Sequence, residues 1–245
     1  MTAFGRDLQD AVQATFLRSA PLSLQAYEIL RNAIVDLRLL PGAPLRKEEL
    51  CDVWGISRTP ISEALARLAE DGLVEIRPQH GTFVSRIRLD AVHEGAFVRR
   101  ALESAATRRV AVKMPNNVVS EIDRNLRFQA ASVEAVDLPG FHRLDQEFHA
   151  LICSLTGFPR VGRLVESSRT QLDRVRFLIL PTPGRLAETF QEHVAIFKAL
   201  KSRDPAAAGQ AMETHLDQTP KKLDALIAER PELFDEVSQR GRSVA

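Results

Sequence analysis

The feature that most constrains the fold is a series of six helical segments after about Arg88, joined by very short connections. Apolar residues recur there at helical spacing, and "MPNN", "DLPG", "GFPR", "LPTPG" and "RDP" separate the segments. The segments are Leu89–Val112, Asn117–Val133, Asp137–Thr156, Pro159–Leu180, Arg185–Ser202 and Pro205–Ala228. Connections of this length place successive helices antiparallel. The sequence therefore predicts an all-α, six-helix antiparallel bundle.

The chain ahead of the bundle has a different pattern, three short helices followed by a hairpin. Helical spacing runs from Leu22 to Leu40, where "LPGAP" ends it, and a short helix follows over about Lys47 to Val53. "RTPISEALARLAEDG" forms the third helix, and "LVEI" and "TFVSRI" are β-prone runs joined by "RPQHG". This order is typical of a winged helix-turn-helix with a β-hairpin wing. The predicted fold class is mainly α.

A length of 245 residues suits one large domain or two of ordinary size. We predict an N-terminal arm over residues 1–20 and a winged helix-turn-helix over 21–87. A helical ligand- and metal-binding domain follows over 88–231, and a C-terminal tail over 232–245.

Composition narrows the class of protein and its compartment. The net charge of +1 favours no partner, so any nucleic-acid binding must come from clustered charge. Cys51 and Cys153 each lie in an apolar helical pattern, which indicates free thiols in a reducing compartment. No stretch approaches the roughly 18 apolar residues of a membrane span, and the N-terminus does not read as a secretory signal. We expect a cytoplasmic protein with no membrane partner.

The start of the third helix has residues suited to DNA. It reads Ser57-Arg58-Thr59-Pro60-Ile61-Ser62. Arg58 can reach guanine or phosphate, and the three hydroxyls suit phosphate oxygens and base edges. The helix N-terminus itself favours anions. Taken alone, the segment is equally compatible with an ordinary capped helix that exposes hydroxyl groups.

The residues from Leu24 to Val84, with "SRTP", "EAL", "RL", "DGLV" and "GTFV" in this order, resemble the DNA-binding domain of the GntR family of bacterial regulators. The resemblance implies that Arg58 and Thr59 contact DNA and that the wing tip, His80-Gly81, approaches the minor groove. Arg46 is a candidate for the DNA backbone. The family usually has Arg where this chain has Ser62, so operator preference or affinity is expected to differ.

In the second half, polar residues lie beside the apolar stripe of three helices. Asp145 and His149 are four residues apart and share a face, while His193 and His215 lie at similar edges. A lone histidine at such a place is more often a core residue with a hydrogen-bond partner than a ligand. Together, one carboxylate and three imidazoles suit zinc, nickel, manganese or iron. We take zinc as the first candidate.

This half also resembles the ligand-binding bundle of the FCD subclass of GntR regulators, and six helices indicate its VanR-like branch. The resemblance implies that Asp145, His149, His193 and His215 bind a divalent metal. It also implies that a small organic acid binds at the open metal positions, with Arg99 meeting a carboxylate of the effector. Arg174 and Arg176 are further effector candidates, although a charged helix face explains them equally well. We place His142 at the surface or behind the metal ligands.

The leading hypothesis is a ligand-responsive transcriptional regulator, with repression as the expected sign. A homodimer would bind a pseudo-palindromic operator in double-stranded DNA, and the effector would change its affinity. Two alternatives stay open. The metal could be purely structural, or the chain could be a metal-dependent hydrolase or lyase. Glu147 points away from the metal face and is a poor general base, so we expect no enzyme.

Overall fold

A computed structural model of the chain describes Val12, Phe16 and residues 20–235, with the backbone alone for Asn116 and Asn117. Most of the predicted arm 1–20 and the last ten residues of the predicted tail 232–245 lie outside this description. The chain divides into two compact units. One comprises Met1–Arg88 with Arg230–Ala245, and the other is Leu89–Glu229.

The first unit is the predicted winged helix-turn-helix. Its helices are α1 (Leu22–Val35), α2 (Lys47–Trp54) and α3 (Arg58–Glu70), and its strands are β1 (Val74–Arg77) and β2 (Gly81–Val84). The strands form an antiparallel hairpin in which Val74 pairs with Val84 and Arg77 with Gly81. Gly55 turns the chain between α2 and α3 with φ of 64°, a left-handed conformation that glycine adopts without steric cost.

A compact apolar core holds the first unit together. All three helices contribute fully buried side chains, among them Leu30, Ile34, Leu50, Ile61, Leu65 and Leu68. Two residues of the predicted arm add to it. The indole Nε1 of Trp54 donates to the carbonyl of Val12 at 3.0 Å, and the Phe16 ring meets the Trp54 ring edge-on at 5.4 Å between centroids.

The start of the predicted tail is part of this first unit. After a 3-10 turn over Pro231–Leu233, Phe234 forms a parallel bridge with Ile87. The amide of Ile87 donates to the carbonyl of Leu233 at 2.9 Å, and the amide of Asp235 donates to the carbonyl of Ile87 at 3.1 Å. Leu233 and Phe234 are buried. These two apolar side chains hold residues 232–235 against the protein, whereas we had assigned them to a tail.

The second unit is a helical bundle, as predicted. Its elements are α4 (Leu89–Val112), α5 (Asn116–Glu134), α6 (Leu138–Ser154), α7 (Pro159–Ser168), α8 (Thr170–Ile179), α9 (Arg185–Lys201), α10 (Pro205–Leu216) and α11 (Gln218–Glu229). The prediction of six helices differs from these eight because two long segments are interrupted, at Arg169 and at Asp217. None of the described helices is long and apolar enough to cross a membrane.

Both interruptions have local causes. Pro220 has no N–H to give to the carbonyl of Leu216, and its ring crowds that carbonyl, so α10 ends there and α11 begins anew. Before Arg169, the hydroxyls of Ser167 and Ser168 donate to the carbonyls of Leu164 and Val165 at 3.1 and 2.9 Å. Such back-bonding competes with the helical hydrogen bonds of the backbone.

The bundle core contains Ile122, Phe148, Ile152, Ile196, Leu200 and Met212, all fully buried. Cys153 lies in this core and Cys51 is half-buried, both as free thiols, and burial raises the pKa of Cys153 to about 12. One contact is unusually close. A Cβ added to Gly95 of α4 would collide with the carbonyl oxygen of Ser168, so only glycine lets the end of α7 approach α4.

Candidate metal centre

Three helices of the bundle bring one carboxylate and three imidazoles together. Asp145 and His149 come from α6, His193 from α9 and His215 from α10. All four side chains are buried, and one ligand atom from each lies within 4.8 Å of the others. The four residues selected from the sequence therefore form one cluster.

The inner atoms of this cluster face one another. Nε2 of His149 lies 3.1 Å from Nε2 of His215. Nε2 of His193 lies 3.4 Å from Oδ1 of Asp145. Among the described residues, Asp145 Oδ2 and His193 Nε2 have no hydrogen-bond partner. Buried polar atoms without partners are costly, and a cation shared between them would remove that cost. The donor set fits a divalent transition metal.

The outer nitrogen of each histidine lies close to an oxygen that can accept its proton. Nδ1 of His149 lies 2.6 Å from Oε2 of Glu103, and Nδ1 of His215 lies 2.7 Å from Oε2 of Glu192. Nδ1 of His193 lies 2.8 Å from Oε1 of Gln129. An acceptor at Nδ1 places the proton there and leaves the Nε2 lone pair free. All three histidines are therefore set up to ligate through Nε2.

Aromatic packing holds the His193 imidazole in place, and burial favours the neutral form of His193 and His215. The Phe148 ring stacks on the His193 ring with 4.5 Å between centroids and 18° between planes. Burial lowers the pKa of His193, and it lowers the pKa of His215 to about 3. Neutral imidazole is the form that binds a metal.

Arg176 of α8 holds Asp145 in its ionised form. Its Nη2 donates to Oδ1 of Asp145 at 2.5 Å, and its Nη1 lies 3.3 Å from Oδ1 of Asp173. Burial raises the pKa of Asp145, but Arg176 together with His193 and His149 outweighs this and holds the pKa well below its usual value. In the sequence, Arg176 cannot be distinguished from an arginine on an exposed, charged helix face. Its hydrogen bond to Asp145 of α6 exists only in the folded protein.

A small cavity of about 20 Å³ adjoins the cluster. Arg99, Arg176, Arg185, Thr189 and His215 line it, with the apolar side chains of Leu172, Ile179, Leu180 and Leu216. Its volume is that of one or two water molecules. Three guanidinium groups around one cavity next to the cluster of Asp145 and the three histidines favour an anionic occupant.

The two arginines chosen from the sequence as effector ligands occupy different places. Arg99 is buried at the cavity and bonds Oε1 of Glu103 through Nε at 2.5 Å. Arg174 is also fully buried but donates to Oε1 of Gln171 at 3.0 Å, and burial lowers its pKa to about 9. The α8 arginine that lines the cavity is Arg176.

His142 is buried, which differs from the surface position considered for it. Its ring packs against Phe177 with 4.1 Å between centroids, and Nε2 of Gln146 donates to its Nε2 at 2.7 Å. Burial lowers the pKa of His142 to about 4. It is not one of the four residues whose ligand atoms form the cluster. Glu147 is exposed, as its position beside Asp145 predicts.

Four residues around the centre were missed by the sequence analysis: Glu103, Gln129, Arg185 and Glu192. Weak signals exist for two of them. Glu103 lies one helical turn after Arg99 in "RRALE", and Glu192 directly precedes His193 in "QEH". A turn-spaced Arg and Glu pair is usual on exposed helix faces. Nothing in the sequence distinguishes such a pair from one that is buried beside a ligand.

The predicted DNA-contacting residues lie on two parts of the first unit. Ser57, Arg58 and Thr59 are exposed at the start of α3, and Ser62 is half-buried one turn later. His80 and Gly81 are exposed at the tip of the hairpin. Arg58 pairs with Glu48 at 3.1 Å and Arg46 with Glu49 at 2.9 Å, both at the surface. Exposed pairs of this kind are weak, so both arginines can exchange their partners for phosphate.

Comparison with known proteins agrees with this architecture. The family model described as bacterial regulatory proteins, gntR family, matches residues 22–84, and the model of the FCD domain matches residues 94–218. The HTH-type transcriptional repressor RspR of Escherichia coli (strain K12) is 33% identical over 216 residues, which cover 88% of this chain and 95% of that protein.

Two solved structures share the fold. A structure described as E. coli McbR/YncC aligns with a TM-score of 0.73 at 20% identity, over 84% of this chain and 99% of that chain. A putative transcriptional regulator GntR from Rhodococcus sp. RHA1 aligns with a TM-score of 0.72 at 26% identity, over 83% of this chain and 98% of that chain.

Proposed function

Since the chain belongs to the GntR family of bacterial regulatory proteins and carries an FCD domain, we propose that it is a repressor controlled by a metal-dependent effector site. It is a DNA-binding transcriptional regulator and not an enzyme. In the proposal, Asp145, His149, His193 and His215 bind a divalent metal. A small organic acid binds beside it and changes operator affinity.

The observation that carries the proposal is the arrangement of the three imidazoles. Each has an oxygen within 2.8 Å of Nδ1 and directs Nε2 inward, and two of these Nε2 atoms lie 3.1 Å apart. With the protons on Nδ1, the two Nε2 lone pairs at that distance would repel one another, and a cation between them would reverse the sign of the interaction. Histidines that only fill a core would instead pair both nitrogens with other groups.

The chemistry that a bound divalent ion would supply is a positive charge with one or two open coordination positions. Zinc is the first candidate, with nickel, manganese or iron as the other metals that suit these ligands. Arg99, Arg176 and Arg185 would hold the rest of an acid through their planar N–H forks. The cavity is smaller than any organic acid, so we expect these arginines to move when an effector binds.

DNA recognition is assigned to the exposed start of α3 and to the wing. In the proposal, Arg58 and Thr59 contact bases or phosphates, Ser57 and Ser62 contact phosphate or base edges, and Arg46 contacts the backbone. His80 and Gly81 approach the minor groove. A homodimer would present two such surfaces to the half-sites of a pseudo-palindromic operator in the cytoplasm.

Membership of the VanR-like branch is part of the proposal as well. It rests on a count of six helices. The eight segments reduce to six when α7 with α8, and α10 with α11, are each counted as one interrupted helix. The residues at the two interruptions, Arg169 and Asp217, keep right-handed helical backbone angles, which supports that count.

Thermal unfolding in the presence of small acids tests the effector site. Lactate, malate and succinate are added separately to protein loaded with zinc and to chelated protein. A binding acid raises the melting temperature of the zinc-loaded protein only, because a ligand stabilises the state it binds. His149→Ala should abolish that rise, and Glu147→Gln, at an exposed position on the same helix, should leave it intact.

The same experiment separates the structural-metal alternative. If the metal only supports the fold, chelation lowers the melting temperature of the wild-type protein and no acid of any chemistry raises it again. A rise that persists in His149→Ala would contradict metal-mediated effector binding. Turnover of the acids is not expected in any arm.

A further inference from the structure

Two glutamates each connect an arginine of the cavity to a histidine of the metal cluster. Nε of Arg99 donates to Oε1 of Glu103 at 2.5 Å, and Oε2 of Glu103 lies 2.6 Å from Nδ1 of His149. Nη1 and Nη2 of Arg185 donate to Oε1 and Oε2 of Glu192 at 2.7 and 2.8 Å, and Oε2 of Glu192 lies 2.7 Å from Nδ1 of His215. Both series of contacts run from an arginine through a glutamate to a histidine, although their residues come from different helices.

Among the described residues, the third histidine has no such connection through its outer nitrogen. Nδ1 of His193 meets Oε1 of Gln129, whose Nε2 donates to Oδ1 of Asn125 at 2.7 Å. The amide of Asn125 in turn donates to the carbonyl of Leu144 at 3.0 Å. Gln129, Asn125 and the Leu144 carbonyl are all uncharged groups. The charged partners therefore belong to His149 and His215, whose Nδ1 atoms lie next to glutamates that also pair with cavity arginines.

A carboxylate that accepts from Nδ1–H makes the opposite nitrogen of an imidazole a better metal ligand. The same carboxylate is a weaker acceptor while a guanidinium draws on its electrons. Arg99 and Arg185 both line the cavity with His215, so an anion there would compete for the same N–H groups. Anion binding in the cavity can thus change how strongly Nε2 of His149 and of His215 binds a metal.

We propose that Glu103 and Glu192 are positioning residues that set metal affinity through His149 and His215, and that Arg99 and Arg185 restrain them until an anion binds. An anion that takes hydrogen bonds from either arginine frees the glutamate to accept more strongly from its histidine. Metal and anion then strengthen one another's binding, beyond any direct bond between them, by the same factor in each direction. This inference rests on the metal binding of the proposed function.

Zinc affinity of the full-length protein, measured by competition with a chromophoric chelator and with no acid added, tests the role of the glutamates. Glu103→Gln and Glu192→Gln keep the shape of the side chain and remove its charge. Each should weaken zinc binding by about 10- to 100-fold. Glu147→Gln, the exposed control on α6, should bind zinc like the wild type. Equal zinc affinity in the wild type and both glutamate variants would overturn the inference.

The arginine variants test the restraint. Arg→Gln removes the arginine–glutamate ion pair, which an anion in the cavity would also weaken. Arg99→Gln and Arg185→Gln should bind zinc at least about threefold more tightly than the wild type. In the E103Q background, Arg99→Gln should have no further effect, since the arginine acts through the glutamate. A weakening by Arg99→Gln equal to that of Glu103→Gln would show a purely structural pair and refute the proposal.

The double variant also covers the case in which Arg99→Gln alone does not fold, because it leaves no unpaired buried charge. The prediction for E103Q with R99Q is then the zinc affinity of E103Q alone, and a further loss contradicts it. Failure of the proposed function has a different signature. In that case the wild-type protein itself binds no zinc, whereas failure of this inference leaves wild-type binding intact.

Discussion

At the scale of single residues, the centre depends on apolar side chains as much as on its ligands. The Phe148 ring is fully buried and stacks on His193, while Leu151 packs against the same core. An imidazole held by ring packing loses little conformational entropy when a metal binds. The apolar stripe of α6 therefore positions the ligands that lie beside it.

Phe148→Ala should lower the free energy of unfolding by about 3–5 kcal/mol, because it removes a buried ring and leaves a cavity. It should also weaken zinc binding, since His193 loses its support. Phe97→Ala is the matched control. Phe97 is 75% exposed, so its loss should change stability by less than about 0.5 kcal/mol. Urea unfolding and chelator competition measure the two effects, and equal stabilities of the two variants would contradict this account.

Arg58→Ala should weaken operator binding without unfolding the protein. If Arg58 contacts a phosphate, affinity falls for all sequences and the salt slope drops by about 1, whereas a guanine contact costs about 1–3 kcal/mol at one base position. Arg127→Ala, at an exposed bundle position paired with Asp123, is the control and should bind DNA normally. Fluorescence anisotropy on operator DNA over a range of salt distinguishes these outcomes, and unchanged affinity in Arg58→Ala would remove α3 from the interface.

At the scale of elements, the bundle depends on one close approach between helices. A Cβ at Gly95 would collide with the carbonyl oxygen of Ser168, which is backbone and cannot rotate away. Gly162 of α7 is different, because its added Cβ would meet only the Cβ of Cys153 at 3.9 Å, an ordinary contact.

Gly95→Ala should therefore destabilise the protein by about 1–3 kcal/mol, the usual cost of overpacking. Gly162→Ala should stabilise it by up to about 1 kcal/mol, because alanine is the better helix former. Thermal unfolding of both variants measures the difference. A stable Gly95→Ala protein would mean that α4 and α7 do not pack as closely as described.

How much could be predicted from the sequence differs between elements and contacts. Helical periodicity located the helices of both units, and the spacing of Asp145 and His149 placed them on one face. Pro220 was visible in the sequence, yet the helix was extended through it because apolar periodicity continues beyond. The ion pairs of Glu103 and Glu192 were not predictable, since they depend on which helices meet and on which faces are buried.

At the scale of the whole molecule, a segment close to the C-terminal end of the chain packs within the first unit. Phe234 is fully buried and its strand bridge to Ile87 directly follows the wing. Phe234→Ala should destabilise the winged helix-turn-helix by about 3–5 kcal/mol although it lies some 150 residues further along the chain. Hydrogen exchange of the α1 and wing amides measures this. Unchanged protection there would contradict the packing of the C-terminal segment.

All four residues of the proposed metal centre lie within Leu89–Glu229. We therefore expect chelation to lower the stability of the bundle while the DNA-binding unit keeps its fold. The most direct test of the central claim is a crystal structure of protein purified without chelators, with anomalous scattering recorded at metal absorption edges. The account predicts one anomalous peak per chain, between Asp145 Oδ and Nε2 of His149, His193 and His215. A wild-type cluster with no anomalous peak, in protein that also fails to take up added zinc, would contradict it.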